Sequence, residues 1–193
     1  MADPKKSCTN LLKSLAWCQG APVRPGIRKR VYYTTTNNIV KWPARQLDEM
    51  GRPTSAVLQG NFVLAEGVKW NYIDHLPSKA EFKSEVQGEV PSQTFKETVT
   101  VVHPGTGRDA ALATASLLNV DAVFLVEDID GSFRVVGSEE YSAVATSQRD
   151  NGQGATGTAG TTITLEASDF IDCPFYEGTI ETEDGTINDA AGA

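Results

Sequence analysis

Two histidines are the residues of this 193-residue chain whose type most readily supports acid–base chemistry. His75 and His103 could each act as a general base, but no Gly-x-Ser-x-Gly nucleophile elbow accompanies either of them. Carboxylates are plentiful, and a glycosidase-type pair stays open because spacing along a sequence says little about distance in space. We therefore predict no enzymatic activity, no catalytic residue and no cofactor.

Two loops resemble ligand-binding motifs but lack essential members of each motif. Residues 103–108, His-Pro-Gly-Thr-Gly-Arg, precede a predicted helix but have no Gly-Lys-Ser/Thr ending to hold a phosphate and its magnesium ion. Residues 128–131, Asp-Ile-Asp-Gly, resemble part of a calcium loop without its third acidic ligand and its terminal glutamate. We interpret the first loop as a strand-to-helix turn and the second as a hairpin turn.

The three cysteines do not form a metal-binding or disulfide pattern. Cys8, Cys18 and Cys173 contain no Cys-x-x-Cys pair and have no matching histidine spacing. We expect reduced thiols, with no zinc site and no other metal site.

Length and composition predict one folded domain. A chain of this length can bury one core, and 40% hydrophobic with 22% charged residues is ordinary for a soluble protein. No apolar run approaches the roughly 18 residues of a membrane span, so we predict no membrane anchor. Lys13 interrupts the apolar residues near the N-terminus, which argues against an export signal. We expect synthesis in a bacterial cytoplasm without processing.

Charge is unevenly distributed along the chain. Residues 1–52 hold ten Lys and Arg against three acidic residues, a net of +7, whereas residues 53–193 hold seven basic and 22 acidic residues, a net of −15. A basic head on an acidic body is compatible with a nucleic-acid arm, with docking of one copy's head on the next copy's body, or with a solvated surface.

A hairpin within residues 120–146 is the predicted centre of the fold. Residues 122–126, Ala-Val-Phe-Leu-Val, are apolar on both faces of an extended chain, which suits a strand covered on both sides. The turn at 128–131 leads to a return strand that carries Phe133 and Val135.

Alternating patterns predict the other strands. They cover residues 27–36, 56–64, 67–73, 80–88, 93–103 and 161–168. Between 80 and 88 we expect Phe82, Ser84 and Val86 to point inward. The segment 147–160 contains four glycines and is predicted to be a loop.

One helix is predicted, at about residues 107–118. Thr106 is the expected N-cap, and Asp109 favours the positive end of the helix dipole. The predicted apolar stripe consists of Ala110, Ala113, Leu117 and Leu118, with Thr114 as its one polar member.

The sum is a mainly β protein of about eight strands, a sandwich or open barrel with one flanking helix. We divide it into an N-terminal arm at 1–26 with a short helical patch at 10–17, a β-rich domain at 27–178, and a flexible acidic tail at 179–193.

The order of these elements resembles one family of virion proteins. A basic Gly/Pro arm and the strand Ile-Arg-Lys-Arg-Val-Tyr-Tyr are followed by strand pairs and the helix, then by Val-Phe-Leu-Val-Glu-Asp-Ile-Asp-Gly, a Gly/Thr-rich loop and Thr-Ile-Thr-Leu. Over residues 27–176 this pattern is similar to the major tail tube proteins of long-tailed phages and prophages, especially those of Bacteroidetes hosts.

The resemblance implies a structural protein of the virion tail. It implies hexameric rings in which sheets of neighbouring copies join, and stacking of these rings around a lumen through which DNA passes without specific binding. It also implies contacts with other tail proteins, such as the tape measure and terminator proteins. The residues that we assign to the assembly interface are Arg28, Arg30, Trp42, Asp150, Asn151, Gly152, Gly154, Gly157 and Gly160.

A change of both Arg28 and Arg30 to glutamate is expected to weaken assembly while the monomer stays folded. Two alternatives remain open: a head–tail connector or capsid decoration protein, and a monomeric β-sandwich binding module or hydrolase. The scatter of Trp17, Trp42 and Trp70 along the chain argues against an aromatic binding platform.

Overall fold

The computed structural model describes residues 13–188, which form a mainly β fold with one α-helix, as predicted. Three short 3-10 helices lie at Thr36–Asn38, Pro77–Lys79 and Gly154–Thr156. The regular elements are β1 Ile27–Thr35, β2 Ile39–Lys41, β3 Val57–Leu58, β4 Val63–Leu64, β5 Asn71–Asp74, β6 Glu81–Gln87, β7 Thr94–His103, α1 Arg108–Ser116, β8 Ala122–Asp128, β9 Phe133–Val136, β10 Val144–Asp150, β11 Gly160–Asp169, β12 Phe175–Tyr176, β13 Ile180–Thr182 and β14 Gly185–Ile187.

The predicted hairpin lies at the centre of a six-stranded sheet with the order β3-β12-β9-β8-β1-β5. Phe124 and Val126 belong to the buried cluster on one side of β8, and Val123 and Leu125 belong to the cluster on the other side. The turn closes with a hydrogen bond from the Gly131 backbone N–H to the Asp128 carbonyl oxygen at 2.9 Å. Both the hairpin and its burial on two faces are therefore confirmed.

A four-stranded antiparallel sheet with the order β10-β11-β7-β6 packs on one face of the six-stranded sheet. The core between them includes Val99 and Val101 of β7 and Ile163 and Leu165 of β11. Leu117, at the end of α1, completes this cluster. The two sheets make the molecule a sandwich.

The opposite face of the six-stranded sheet is covered by an aromatic cluster and by the β13–β14 hairpin. The ring of Phe62 lies 5.4 Å from that of Trp70 and 5.1 Å from that of Tyr176. Ile180 of β13 is fully buried in the same cluster. The prediction of a flexible tail is therefore wrong for residues 179–188, because this hairpin supplies core; residues 189–193 lie outside the described part.

Two predicted strand boundaries are wrong. The single strand expected at 56–64 is interrupted at Gly60, whose φ of +85° suits a turn. Its two parts have different partners, since β3 pairs with β12 and β4 pairs with β2. Residues 147–150 were expected in a loop but continue β10, paired with β11 along its whole length.

The helix is confirmed with small changes at its ends. Its N-cap is Gly107 rather than Thr106, with no side-chain cap. Leu117 is 4% exposed as expected, whereas Leu118 is 58% exposed because the helix has already ended at Ser116. The Thr114 hydroxyl donates to the Ala110 carbonyl oxygen at 3.0 Å, which satisfies the one polar side chain of the stripe.

Residues 13–26 are exposed and contain neither helix nor strand, which fits the predicted arm. The helical patch predicted at 10–17 has no helix over residues 13–17, and residues 10–12 lie outside the described part. Cys18 is an exposed free thiol and Cys173 a buried one. From residue 13 to residue 188 there is no helix long and apolar enough to cross a membrane.

Candidate assembly surface

The four-stranded sheet has two open edges. β6 forms one edge and β10 the other, and over residues 13–188 each of them pairs with a strand on one side only. Each is seven residues long. An edge strand presents a row of unpaired backbone donors and acceptors, which is a template for pairing with another chain.

Both edges also carry exposed apolar side chains. Val86 of β6 is 57% exposed, and Val144 of β10 is 48% exposed. Val86 and Ser84 were predicted to point into the core. They lie on the core-facing side of β6, but both remain exposed. Ser84 lines a cavity of about 390 Å³ together with Ile27 and Arg134.

The outer face of the four-stranded sheet is polar. Side chains alternate along each strand, so the residues next to the buried positions face outward. Six of these are threonines, and the charged ones are two lysines and four carboxylates. They are Thr94, Thr98, Thr100, Thr146, Thr162 and Thr164, with Glu81, Lys83, Glu85, Lys96, Asp150 and Glu166. This face is slightly negative, and its apolar side chains include Val102 and the exposed Val144.

The predicted assembly loop is now limited to residues 151–159, between β10 and β11. Asp150 accepts a hydrogen bond from the Gly152 backbone N–H at 2.8 Å, which fixes the start of the loop. Gly157 lies so close to the Gln153 backbone that a Cβ atom would overlap it. Asn151 and Gly154 are exposed, and Gly152 is partly exposed. The loop is therefore a shaped projection and not a featureless linker.

Gly160 is not part of the projecting surface. It is the first residue of β11 and is buried against Val102, where a Cβ atom would lie 3.1 Å from Val102 Cγ1. The strand pairing with β10 begins at this residue, and its role in assembly stays a prediction.

The two predicted interface arginines have partners within the chain. Arg28 forms an ion pair with Glu127 at 2.9 Å. Arg30 pairs with Asp74 at 2.7 Å and with Asp184 at 2.9 Å. These carboxylates raise the pKa of Arg30 above its ordinary value against the opposing effect of burial.

A glutamate at position 30 would face Asp74 and Asp184, and it would lose the stacking of Arg30 on the Tyr72 ring, 3.7 Å from the guanidinium carbon. The double charge reversal is therefore not a clean test of assembly, because it disturbs the monomer. The role of both arginines in assembly stays a prediction.

Trp42 is half-buried, and its ring packs edge-on against that of Phe62 at 5.5 Å. It lines a cavity of about 340 Å³ together with Arg45 and Glu140. Among the described residues no hydrogen bond, ion pair or ring contact joins Trp42, the arginines and the 151–159 loop. The arginines lie on β1 of the six-stranded sheet, Trp42 packs in the aromatic cluster, and the loop joins two strands of the four-stranded sheet.

The two histidines have surroundings that do not suggest a catalytic pair. His75 is buried with no hydrogen-bond partner for either ring nitrogen in the described chain, and burial lowers its pKa. His103 Nδ1 lies 2.8 Å from the Asp74 carbonyl oxygen. In residues 13–188 no group of three or more His, Cys, Asp or Glu side chains could hold a metal ion.

Comparisons with protein-family models, with curated proteins and with solved structures find no match for this chain. The fold and the two open edges therefore stand on the structure itself. The edges were not predicted from the sequence, since the alternation in 147–150 is too weak to indicate a strand. Residues 147–150 are Ser-Gln-Arg-Asp, and none of these residue types favours a strand.

Proposed function

We propose that this chain is a self-assembling structural subunit, and specifically the major tail tube protein of a long-tailed phage or prophage. The observation that carries the proposal is the four-stranded sheet with two open edges of equal length. All its neighbouring strands are antiparallel, so β6 and β10 run in opposite directions. A second copy related by rotation can add its β10 beside β6 and continue the antiparallel order.

A register that preserves the two faces of the sheet supports this pairing. Val86 and Ala145 both lie on the core-facing side, since they pair with Phe95 and Leu165 respectively within the chain. With Val86 opposite Ala145 of the next copy, Ser84 lies opposite Ser147 and the exposed valine is covered. Repetition of this contact closes a ring and removes every edge of the four-stranded sheet.

The polar face of the sheet suits the lumen of such a ring. The excess of carboxylates over lysines on this face repels phosphate groups, in contrast to the basic surface of a DNA-binding groove, and its threonines are uncharged. DNA would therefore slide past this face without being held. The exposed arm at 13–26 and the loop at 151–159 project from the sandwich and are available for contacts between stacked rings.

Negative-stain electron microscopy of the purified protein tests the proposal directly. Tubes of stacked rings are the expected result. Isolated rings or lattice patches would favour a head–tail connector or a capsid decoration protein. Single particles at high protein concentration would refute self-assembly and favour a monomeric binding module or hydrolase.

The edge contact has a specific test in Val86→Lys. A lysine at this exposed position leaves the monomer core intact but places a charge where the next copy must pair, as natural edge strands do to avoid association. We expect rings and tubes to be lost while the circular dichroism spectrum and the unfolding midpoint of the monomer stay unchanged.

Val40→Lys is the matched control, since Val40 is an exposed strand valine, 71% exposed, that lies outside the four-stranded sheet. This variant should assemble like the unmodified protein. Assembly of Val86→Lys to the same extent as Val40→Lys would exclude β6 from the subunit contact.

A further inference from the structure

A buried carboxyl lies beneath the segment that joins the two sheets. Glu97 is in the middle of β7, has no exposed surface and points into the core between the sheets. Residues 170–174, here called the crossover, carry the chain from β11 in one sheet to β12 in the other. Glu97 is therefore placed where the two halves of the sandwich are connected.

Glu97 holds the crossover through one of its two oxygens. Its Oε1 accepts a hydrogen bond from the Cys173 backbone N–H at 3.0 Å, while Oε2 has no hydrogen-bond partner among the residues described. Cys173 has a φ of +42°, a left-handed conformation that costs energy for a residue with a side chain. The bond to Glu97 thus supports a backbone conformation that is unfavourable by itself.

The charged groups around Glu97 do not neutralise it. Asp169 of β11 is buried beside it and is already bound by both guanidinium nitrogens of Arg45, at 2.8 and 2.7 Å. The same Arg45 approaches the exposed Glu140 at 3.6 Å. Asp172 of the crossover adds a further carboxylate near Cys173, and Ser84 of β6 contributes only a hydroxyl.

Glu97 forms no ion pair with a described Lys, Arg or His. Burial, and then the negative charge of Asp169, raise the pKa of Glu97 to about 8, against the smaller opposing effect of the Cys173 amide and thiol and of the Gly137 amide. At neutral pH the folded protein therefore holds this carboxyl in its neutral form.

We infer that Glu97 is a proton-operated latch, whose neutral carboxyl holds the crossover against β7 and whose ionisation favours release of the crossover and exposure of the Cys173 thiol. The latch is independent of any assembly into rings, because all of its groups belong to one chain. It is a conformational device at the joint between the two sheets.

The pH range of the latch follows from proton linkage. In the released state Glu97 meets water and regains its ordinary pKa of 4.5, whereas in the closed state its pKa is about 8. At a pH between these two pKa values, release of the crossover is therefore accompanied by loss of one proton from Glu97. The equilibrium for release rises by up to tenfold per pH unit from about 4.5 to about 8 and is constant above that range.

Reactivity of the Cys173 thiol measures the release. In a Cys8→Ser, Cys18→Ser background Cys173 is the remaining thiol. Its protection factor is the alkylation rate of the unfolded chain by a neutral reagent divided by the rate of the folded protein at the same pH. Because both rates are taken at the same pH, the intrinsic pH dependence of thiolate reactivity cancels in this ratio. We expect it to fall by about tenfold per pH unit between about pH 6 and pH 8.

Glu97→Gln in the same background is the decisive variant, since the amide oxygen keeps the bond to Cys173 and cannot ionise. Its protection factor should be independent of pH. Glu85→Gln is the matched control, because Glu85 is an exposed carboxylate on the neighbouring strand. In this variant the protection factor should fall with pH as it does in the protein with Glu85. If the Cys173 protection factor depended on pH equally in Glu97→Gln and in the protein with Glu97, the latch would be overturned.

A second measurement covers the case in which Glu97→Gln does not fold. Hydrogen exchange of the Cys173 backbone amide in the unmodified protein, corrected for its intrinsic pH dependence, reports release of the same segment. Protection that falls with pH over the same range supports the latch, and protection that is constant with pH overturns it.

Discussion

At the scale of single residues, the ion pair between Arg45 and Asp169 is the most constrained polar contact of the fold. The Arg45 side chain is 15% exposed and that of Asp169 is 1% exposed. Asp169 also accepts hydrogen bonds from the backbone N–H groups of Phe170 and Ile171, at 2.6 and 3.2 Å. A carboxylate with this many donors is stable when buried, but only as long as its cation remains.

Arg45→Ala tests this dependence. The substitution leaves the Asp169 carboxylate buried without its cation and next to a second buried acid, so we expect a loss of about 3–5 kcal/mol in the free energy of unfolding. Urea unfolding at neutral pH measures it. Lys69→Ala is the control, because the Lys69–Glu183 pair is solvent-exposed at 3.5 Å and such pairs contribute at most about 1 kcal/mol. Similar losses in the two variants would show that burial does not decide the strength of these pairs.

At the scale of the elements, α1 is held by the few apolar side chains that it buries. Ala110 and Ala113 are only partly buried, so Leu117 supplies the main anchor between helix and sheets. The helix is nine residues long, which is too short to be stable without such packing.

Leu117→Ala and Leu118→Ala form a matched pair for this element. Leu117 lies in the core, so its truncation should cost about 2–4 kcal/mol through lost burial and the resulting cavity. Leu118, exposed beyond the end of the helix, should change stability by less than about 0.5 kcal/mol. Thermal unfolding of the two variants side by side measures the difference. Equal effects would place the end of the helix later than Ser116.

The elements that could be predicted from the sequence are those with a strong local pattern. β8 was identified because its apolar residues fill both faces, and α1 because an apolar stripe with helical spacing follows a candidate N-cap and an acidic residue in the first turn. The pairing of β3 with β12 could not be predicted, since the partners are over a hundred residues apart and two residues long. The β13–β14 hairpin was missed because its apolar residues, Ile180 and Ile187, are separated by a polar and acidic stretch.

The candidate site was less accessible to sequence reasoning than the fold. Charge and glycine content indicated Arg28, Arg30 and the 151–159 loop, but charge alone does not say whether an arginine is free or already paired within its own chain. The open edges depend on which strands lie outermost in the sheet, and this is a property of the tertiary structure.

At the scale of the whole molecule, the two open edges and the uneven charge act in different directions. In the proposed ring, edge pairing would use backbone hydrogen bonds, a contact with little dependence on salt. Within the head at 1–52, Arg28, Arg30 and Arg45 are already paired with carboxylates of the same chain. Attraction of the remaining basic residues to the acidic remainder of another copy would be screened by salt. The two contacts can therefore be separated by ionic strength.

We expect salt to shorten the stacks of rings while leaving single rings intact. If the head of one ring docks on the acidic body of the next, raising the ionic strength from about 0.05 M to about 0.5 M shortens the screening length severalfold and weakens this attraction. Mean tube length, measured by negative-stain microscopy at each salt concentration, should fall, and removal of residues 1–26 should give rings that do not stack even at low salt. Tubes whose length is unaffected by salt would assign stacking to uncharged contacts, such as those of the 151–159 loop, and would leave the basic head as a solvated surface.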